Sequence, residues 1–135
     1  MNVIEAGLYT ALAADTALIA ELGSTAIYSR HAPQGAAMPF VIFNHAGGGH
    51  ENLTPSDTQS HVYLVKAVAS EAQGAKKAGT IDALIIGALH KQALTVTGYT
   101  NFYMAAEEEV QLTETSGEGG FIYHTGHYYR IRIDD

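Results

Sequence analysis

From Phe121 to Ile133 the chain alternates with a period of two. Phe121, Tyr123, His127, Tyr129, Ile131 and Ile133 share one parity; Ile122, His124, Tyr128, Arg130 and Arg132 share the other. Successive side chains of a strand point to opposite faces of the sheet. The pattern therefore predicts a long, half-buried antiparallel strand with a cationic outer end. Ala93–Thr97, Asn101–Glu108 and Val110–Thr115 read as further strands before it, with Gly117–Gly120 as the last turn.

A second periodicity interrupts the strands. Ala78, Ile81, Ile85, Ala88 and Leu89 form an apolar stripe with helical spacing, opposite Lys76, Thr80, Ala83, Gly87 and Lys91. Ser70 and Gln73 have capping-box spacing, which predicts a helix from there to about His90. His90 and Lys91 fall in its last turn, where the helix dipole favours cations. Near the N-terminus, Ile4, Leu8, Ala11 and Leu12 predict a helix over Val3–Ala13, with Asn2 and Glu5 as its capping box. Asp15 is placed to cap a shorter helical turn that stops at Gly23.

Between the helices, Ile27–Ser29 reads as a short strand. His31–Pro39 reads as an irregular loop, Phe40–His45 as a central strand and His61–Ala69 as another strand. Gly47, Gly48 and Gly49, followed by His50, Glu51, Asn52 and Leu53, predict a flexible arm over about 46–57. The predicted fold is α+β: a single domain over 1–135, with a mixed, mostly antiparallel sheet packed by an N-terminal helix and one central helix.

Composition narrows the function. Seven Lys and Arg stand against 14 Asp and Glu, so this is not a basic domain built to grip phosphates. The acidity is concentrated in residues 101–135, which hold seven acids and two bases. With no cysteine, disulfide frameworks, thiolate metal sites and cysteine nucleophiles are all excluded. No apolar run reaches the length of a membrane span.

No motif carries catalysis. The glycine run lacks the Gly-Lys-Ser/Thr ending of a phosphate loop, and no Gly-x-Ser-x-Gly elbow occurs. Glu107, Glu108 and Glu109 alternate faces on a strand, so they read as an acidic edge rather than a paired acid and base. Seven histidines invite a metal hypothesis. His45, His50 and His61 sit beside one loop and could converge, while His124 and His127 point to opposite faces unless Gly126 bulges. None has metal-motif spacing or an evident acidic partner, so no metal, cofactor or catalytic residue is expected.

The order of motifs resembles a known family. Leu8-Tyr9, Ala11-Leu12, Ala14-Asp15 and Ala17-Leu18 are followed by Ile27-Tyr28. Ala32-Pro33-Gln34-Gly35 then leads through Met38 to Pro39-Phe40-Val41-Ile42-Phe43, and Tyr129-Arg130-Ile131 closes the chain. This resembles the tail-completion, or tail-terminator, family of long-tailed bacteriophages, and the likeness spans nearly the whole chain. It implies a non-enzymatic virion protein of the tail or neck, assembled in the bacterial host cytoplasm. It further implies a homo-oligomeric ring, a hexamer by family analogy, on the tail-tube protein. The ring stops tube polymerisation, meets a head-closure or neck protein and lets genomic DNA pass.

Interface candidates are Pro33, Gln34, Gly35 and Met38 in one loop and the segment from Gly47 to Leu53 in the arm. Glu107, Glu108 and Glu109 are lumen candidates. The alternatives are another neck component, such as a head-completion or adaptor protein, and a small histidine-based metal-binding protein.

Overall fold

The computed structural model describes all 135 residues. Helices α1 (Asn2–Ala13) and α2 (Thr16–Leu22) lead to β1 (Ile27–Ser29), β2 (Phe40–His50) and β3 (Gln59–Ser70). Helix α3 (Ala75–Leu89) then precedes β4 (Thr95–Val96), β5 (Tyr99–Thr115) and β6 (Phe121–Asp134). The six strands form one sheet in the order β1-β2-β3-β6-β5-β4. Only β1 and β2 are parallel. This is the predicted α+β fold, with a mixed and mostly antiparallel sheet.

The core lies on one face of that sheet. Val41 and Phe43 of β2, Tyr63, Val65, Ala67 and Ala69 of β3, and Tyr129, Ile131 and Ile133 of β6 form one cluster with Ile4, Leu8 and Leu12 of α1 and Ile81, Ile85 and Leu89 of α3. The strand residues in it share one parity on each strand, as the alternation in 121–133 requires. Burying each large aliphatic side chain contributes about 1.5–3 kcal/mol over leaving it in water. All three helices use this face, and none covers the other.

Local chemistry sets the element ends. The Asp15 carboxylate accepts from the Leu18 N–H at 2.9 Å, and Gly23 closes α2 with φ of 78°. Helices α1 and α2 meet at 79°, so they are two helices rather than one. The expected cap on α1 does not form. Met1 is the N-cap, which leaves Asn2 inside the helix and unable to cap it. Glu5 instead accepts from the Ser29 hydroxyl at 2.8 Å and ties α1 to β1.

Helix α3 starts later than its sequence signal. Gln73 does accept from the Ser70 N–H at 3.0 Å, but it forms a turn, and its amide also donates to the Met38 carbonyl at 2.6 Å. The helix opens after Gly74. At the other end His90 Nδ1 accepts the Ala106 N–H at 3.0 Å, which requires an unprotonated nitrogen there. Its ring links α3 to β5, and the helix ends at Leu89, one residue before it.

The glycine run is not a loop. Gly47, Gly48, Gly49 and His50 continue β2 and pair with Val62, His61, Ser60 and Gln59 of β3, after a bulge between His45 and Gly47. Gly48 has φ of 88°, and a Cβ on it would collide with the Ser60 carbonyl oxygen. The glycine allows a close strand approach that any side chain would block. The predicted strands at 101–108 and 110–115 are also one strand. Their break is a bulge between Ala106 and Glu109, with Glu107 and Glu108 inside it.

Candidate functional site

Both long outer strands are only partly covered. β1 pairs with Val41–Phe43 alone, and β4 with Tyr99 and Thr100 alone. Asn44–His50 of β2 and Phe102–Thr115 of β5 therefore have no strand on their outer sides, although on β5 the Met104 carbonyl accepts from the Lys91 N–H and the Ala106 N–H donates to His90 Nδ1. Such edges are ready to pair with another chain. On β5 the acidic bulge twists one stretch of the edge and places charge on it, which limits indiscriminate pairing.

The hairpin tip between β2 and β3 is short and anchored. Both Glu51 carboxylate oxygens lie 3.0 Å from Arg132 Nη2. Asp57 pairs with His50 Nδ1 at 2.8 Å, and its N–H donates to the Asp135 carboxylate at 2.9 Å. The His50 hydrogen bond holds the Asp57 carboxyl below its ordinary range. Of the predicted arm, Asn52–Pro55 is the one continuous exposed run, with Leu53 showing 55% of its surface; Ala46, Gly48 and His50 are exposed singly. The arm reading thus shrinks to a tip, because the glycines before it are paired strand.

The Pro33–Met38 loop borders the sheet face that no helix covers. Pro33, Gly35 and Met38 line a shallow cavity of about 350 Å³ with Phe40, Ile42 and Val68 of that face. Pro33, Gln34 and Gly35 are exposed, and Met38 is half-buried behind the Gln73 bond.

The three consecutive glutamates have different surroundings. Glu107 pairs with Arg130 Nε at 3.1 Å. Glu108 is exposed and has no ionic partner. Glu109, opposite His127 in register, offers a carboxylate oxygen beside Asp82.

The histidines do have acidic partners, contrary to the sequence reading. His50 meets Asp57, His124 meets Glu114 at 2.5 Å, and His127 meets Asp82 at 3.0 Å. β6 runs without a bulge at Gly126, so His124 and His127 point to opposite faces as expected. His45 and His61 do converge, with 3.1 Å between ring nitrogens, while His50 turns to Asp57.

Asp82 was missed by the sequence reading. It lies four residues after Ala78 and three before Ile85, on the stripe itself, and is only 4% exposed. A charged residue at that spacing was the available signal. Burial raises its carboxyl above the usual range, and the His127 hydrogen bond pulls the other way.

Free sheet edges, an uncovered sheet face and an apolar tip are the features of an assembly subunit. The chain belongs to the family of tail completion protein gp17, whose profile matches residues 6–124. Membership makes it a structural component of a phage-type tail. Among solved structures it is similar to a chain of the virion of a native gene transfer agent particle. The TM-score is 0.81 at 17% identity, covering 98% of this chain and 95% of that one. At that identity the likeness shows the fold. No curated protein matches the sequence.

Proposed function

We propose that this protein is a tail terminator: a ring-forming subunit that caps the tail tube, stops its polymerisation and joins it to the head or neck. The observation that carries the reading is the family match over residues 6–124. The two edges that no strand covers support it. Asn44–His50 and Phe102–Thr115 lie toward opposite sides of the sheet, as head-to-tail contacts that close by rotation require. The ring is a hexamer, and DNA passes its lumen without specific binding. Glu107, Glu108 and Glu109 belong to the lumen side, where repulsion keeps phosphates from sticking. The Pro33–Met38 loop and the Asn52–Leu53 tip contact neighbouring subunits or the tube. The protein acts without catalysis, in the virion, after assembly in the host cytoplasm.

Native mass spectrometry of the untagged protein, alone and with the tail-tube protein of the same gene cluster, tests this. A metal-independent species of about 86 kDa, six copies of the 14.4 kDa chain, is the expected result. A monomer that becomes six-fold on the tube also fits, since a template favours closure by mass action. A twelve-fold species that binds a portal-side protein and ignores the tube would replace terminator with adaptor.

A further inference from the structure

A mixed cluster of metal-ligating side chains sits between α3 and the β5–β6 pair. Asp82 comes from the helix, Glu109 from the edge of the β5 bulge and His127 from β6. One carboxylate oxygen of each acid and one imidazole nitrogen all lie within 4.8 Å of one another. The Asp82 oxygens stand 3.0 and 3.1 Å from His127 Nδ1. Two carboxylates and an imidazole exceed what a simple ion pair needs. The imidazole pairs with one acid, and the second acid, Glu109, makes the burial of Asp82 harder.

A separate observation points to a ligand. The Tyr129 hydroxyl belongs to a side chain with no exposed surface and has no hydrogen-bond partner. Burial, and after it the charge of Asp82, pushes its phenol above the usual range. A buried hydroxyl without a partner costs about 1–3 kcal/mol. Beside the cluster, Asp82 and Glu109 line a cavity of about 160 Å³ with Gln111, Thr113 and Thr125, which is polar and large enough for water.

We propose that Asp82, Glu109 and His127 form a binding site for one divalent transition-metal ion of the zinc class. Three protein ligands of oxygen and nitrogen leave a position for water from the cavity that Asp82 and Glu109 line. A divalent ion there neutralises both acids. Imidazole favours zinc, cobalt or nickel over magnesium and calcium, which prefer all-oxygen sites. The approach of β6 to β3 contributes to the placement: a Cβ on Gly126 would collide with the Val65 carbonyl oxygen, so only glycine fits next to His127. The bound ion pins the β5 bulge, with its free acidic edge, to the helix layer. None of this depends on ring formation.

The test is calorimetric titration of chelator-treated, untagged full-length protein with Zn²⁺, with Mg²⁺ as comparison and Co²⁺ absorption as a report on ligand type. One equivalent of Zn²⁺ is expected, with a rise in unfolding temperature that Mg²⁺ does not match. Glu109→Gln, at an exposed position, should weaken binding about tenfold or more while the protein stays folded. His127→Gln should abolish the Co²⁺ band. His45→Gln is the control for the other close histidine pair and should change nothing. Absence of Zn²⁺ binding would overturn the proposal. So would binding that His45→Gln removes and Glu109→Gln leaves intact.

Discussion

His45 Nε2 of β2 stands 3.1 Å from His61 Nδ1 of β3, with the two rings 5.3 Å apart edge to face. Only one proton fits between those nitrogens. His61 is 6% exposed, and its other nitrogen bonds the Gln59 side chain at 2.8 Å. Burial, then the positive neighbours His45, the terminal amine and His50, pushes its imidazole below the ordinary 6.5.

That relationship sets a pH dependence. In the unfolded chain His61 takes up a proton near pH 6.5, while in the folded protein it resists until lower pH. As pH falls through this window the unfolded state binds more protons, so stability falls with it. Urea unfolding midpoints should drop between about pH 7.5 and about pH 5.5 in the native protein, and the drop should be smaller in His61→Gln. Equal drops in both would show that His61 is not the responsible group.

Glycines should divide by what faces them. At Gly126 a Cβ would collide with the Val65 carbonyl oxygen and meet Lys66 Cβ at 2.5 Å, both in the middle of the sheet. Gly126→Ala must push a pair of central strands apart, and a loss of about 1–3 kcal/mol or more follows. Gly87 lies on the exposed side of α3 with nothing within 4 Å, so Gly87→Ala should add about 0.5–1 kcal/mol. Equilibrium unfolding of the two variants should give opposite signs; a shared sign would contradict the β3–β6 register.

The same register shows what was legible in the sequence. Period-two alternation in 121–133 and the stripe on α3 survive in the structure because each is a burial pattern, and burial decides both elements. The glycine run misled because glycine usually marks flexibility. Here it marks a strand approach so close that Ser60 excludes a side chain at position 48. Asn2 and Glu5 have capping spacing, yet Glu5 is taken by Ser29, a partner 24 residues away that local reading cannot see. Asp82 was readable, as a charge on an apolar stripe. Its partners His127 and Glu109 were not, since β6 and β5 reach it only through the fold.

The hairpin tip allows a clean separation of folding from assembly. Removing Gly48–Thr54 would delete paired strand, so it would test the sheet as much as the interface. Leu53, 55% exposed at the tip, makes a better probe. Leu53→Asp should leave far-ultraviolet dichroism and unfolding unchanged within about 0.5 kcal/mol, as exposed substitutions do. Ring formation or joining to the tail tube should be lost. Normal assembly by Leu53→Asp would remove the tip from the contact surface.

The acidic edge predicts a salt-dependent phenotype, and Glu108 is the residue to change. Glu107 is engaged by Arg130, and Glu109 stands beside Asp82 and His127, so altering either changes a local contact as well as the surface charge. Glu108→Lys reverses an exposed, unpaired charge within the bulge. If that edge lines the lumen of a six-fold ring, the wall changes by about twelve charges, two per copy. Passing phosphates would then be attracted instead of repelled, and DNA release should slow at low salt. Screening shortens to about 3 Å at 1 M salt, so the defect should vanish as salt is raised. Particles carrying Glu108→Lys that eject at the native rate across that range would place the acidic edge outside the channel.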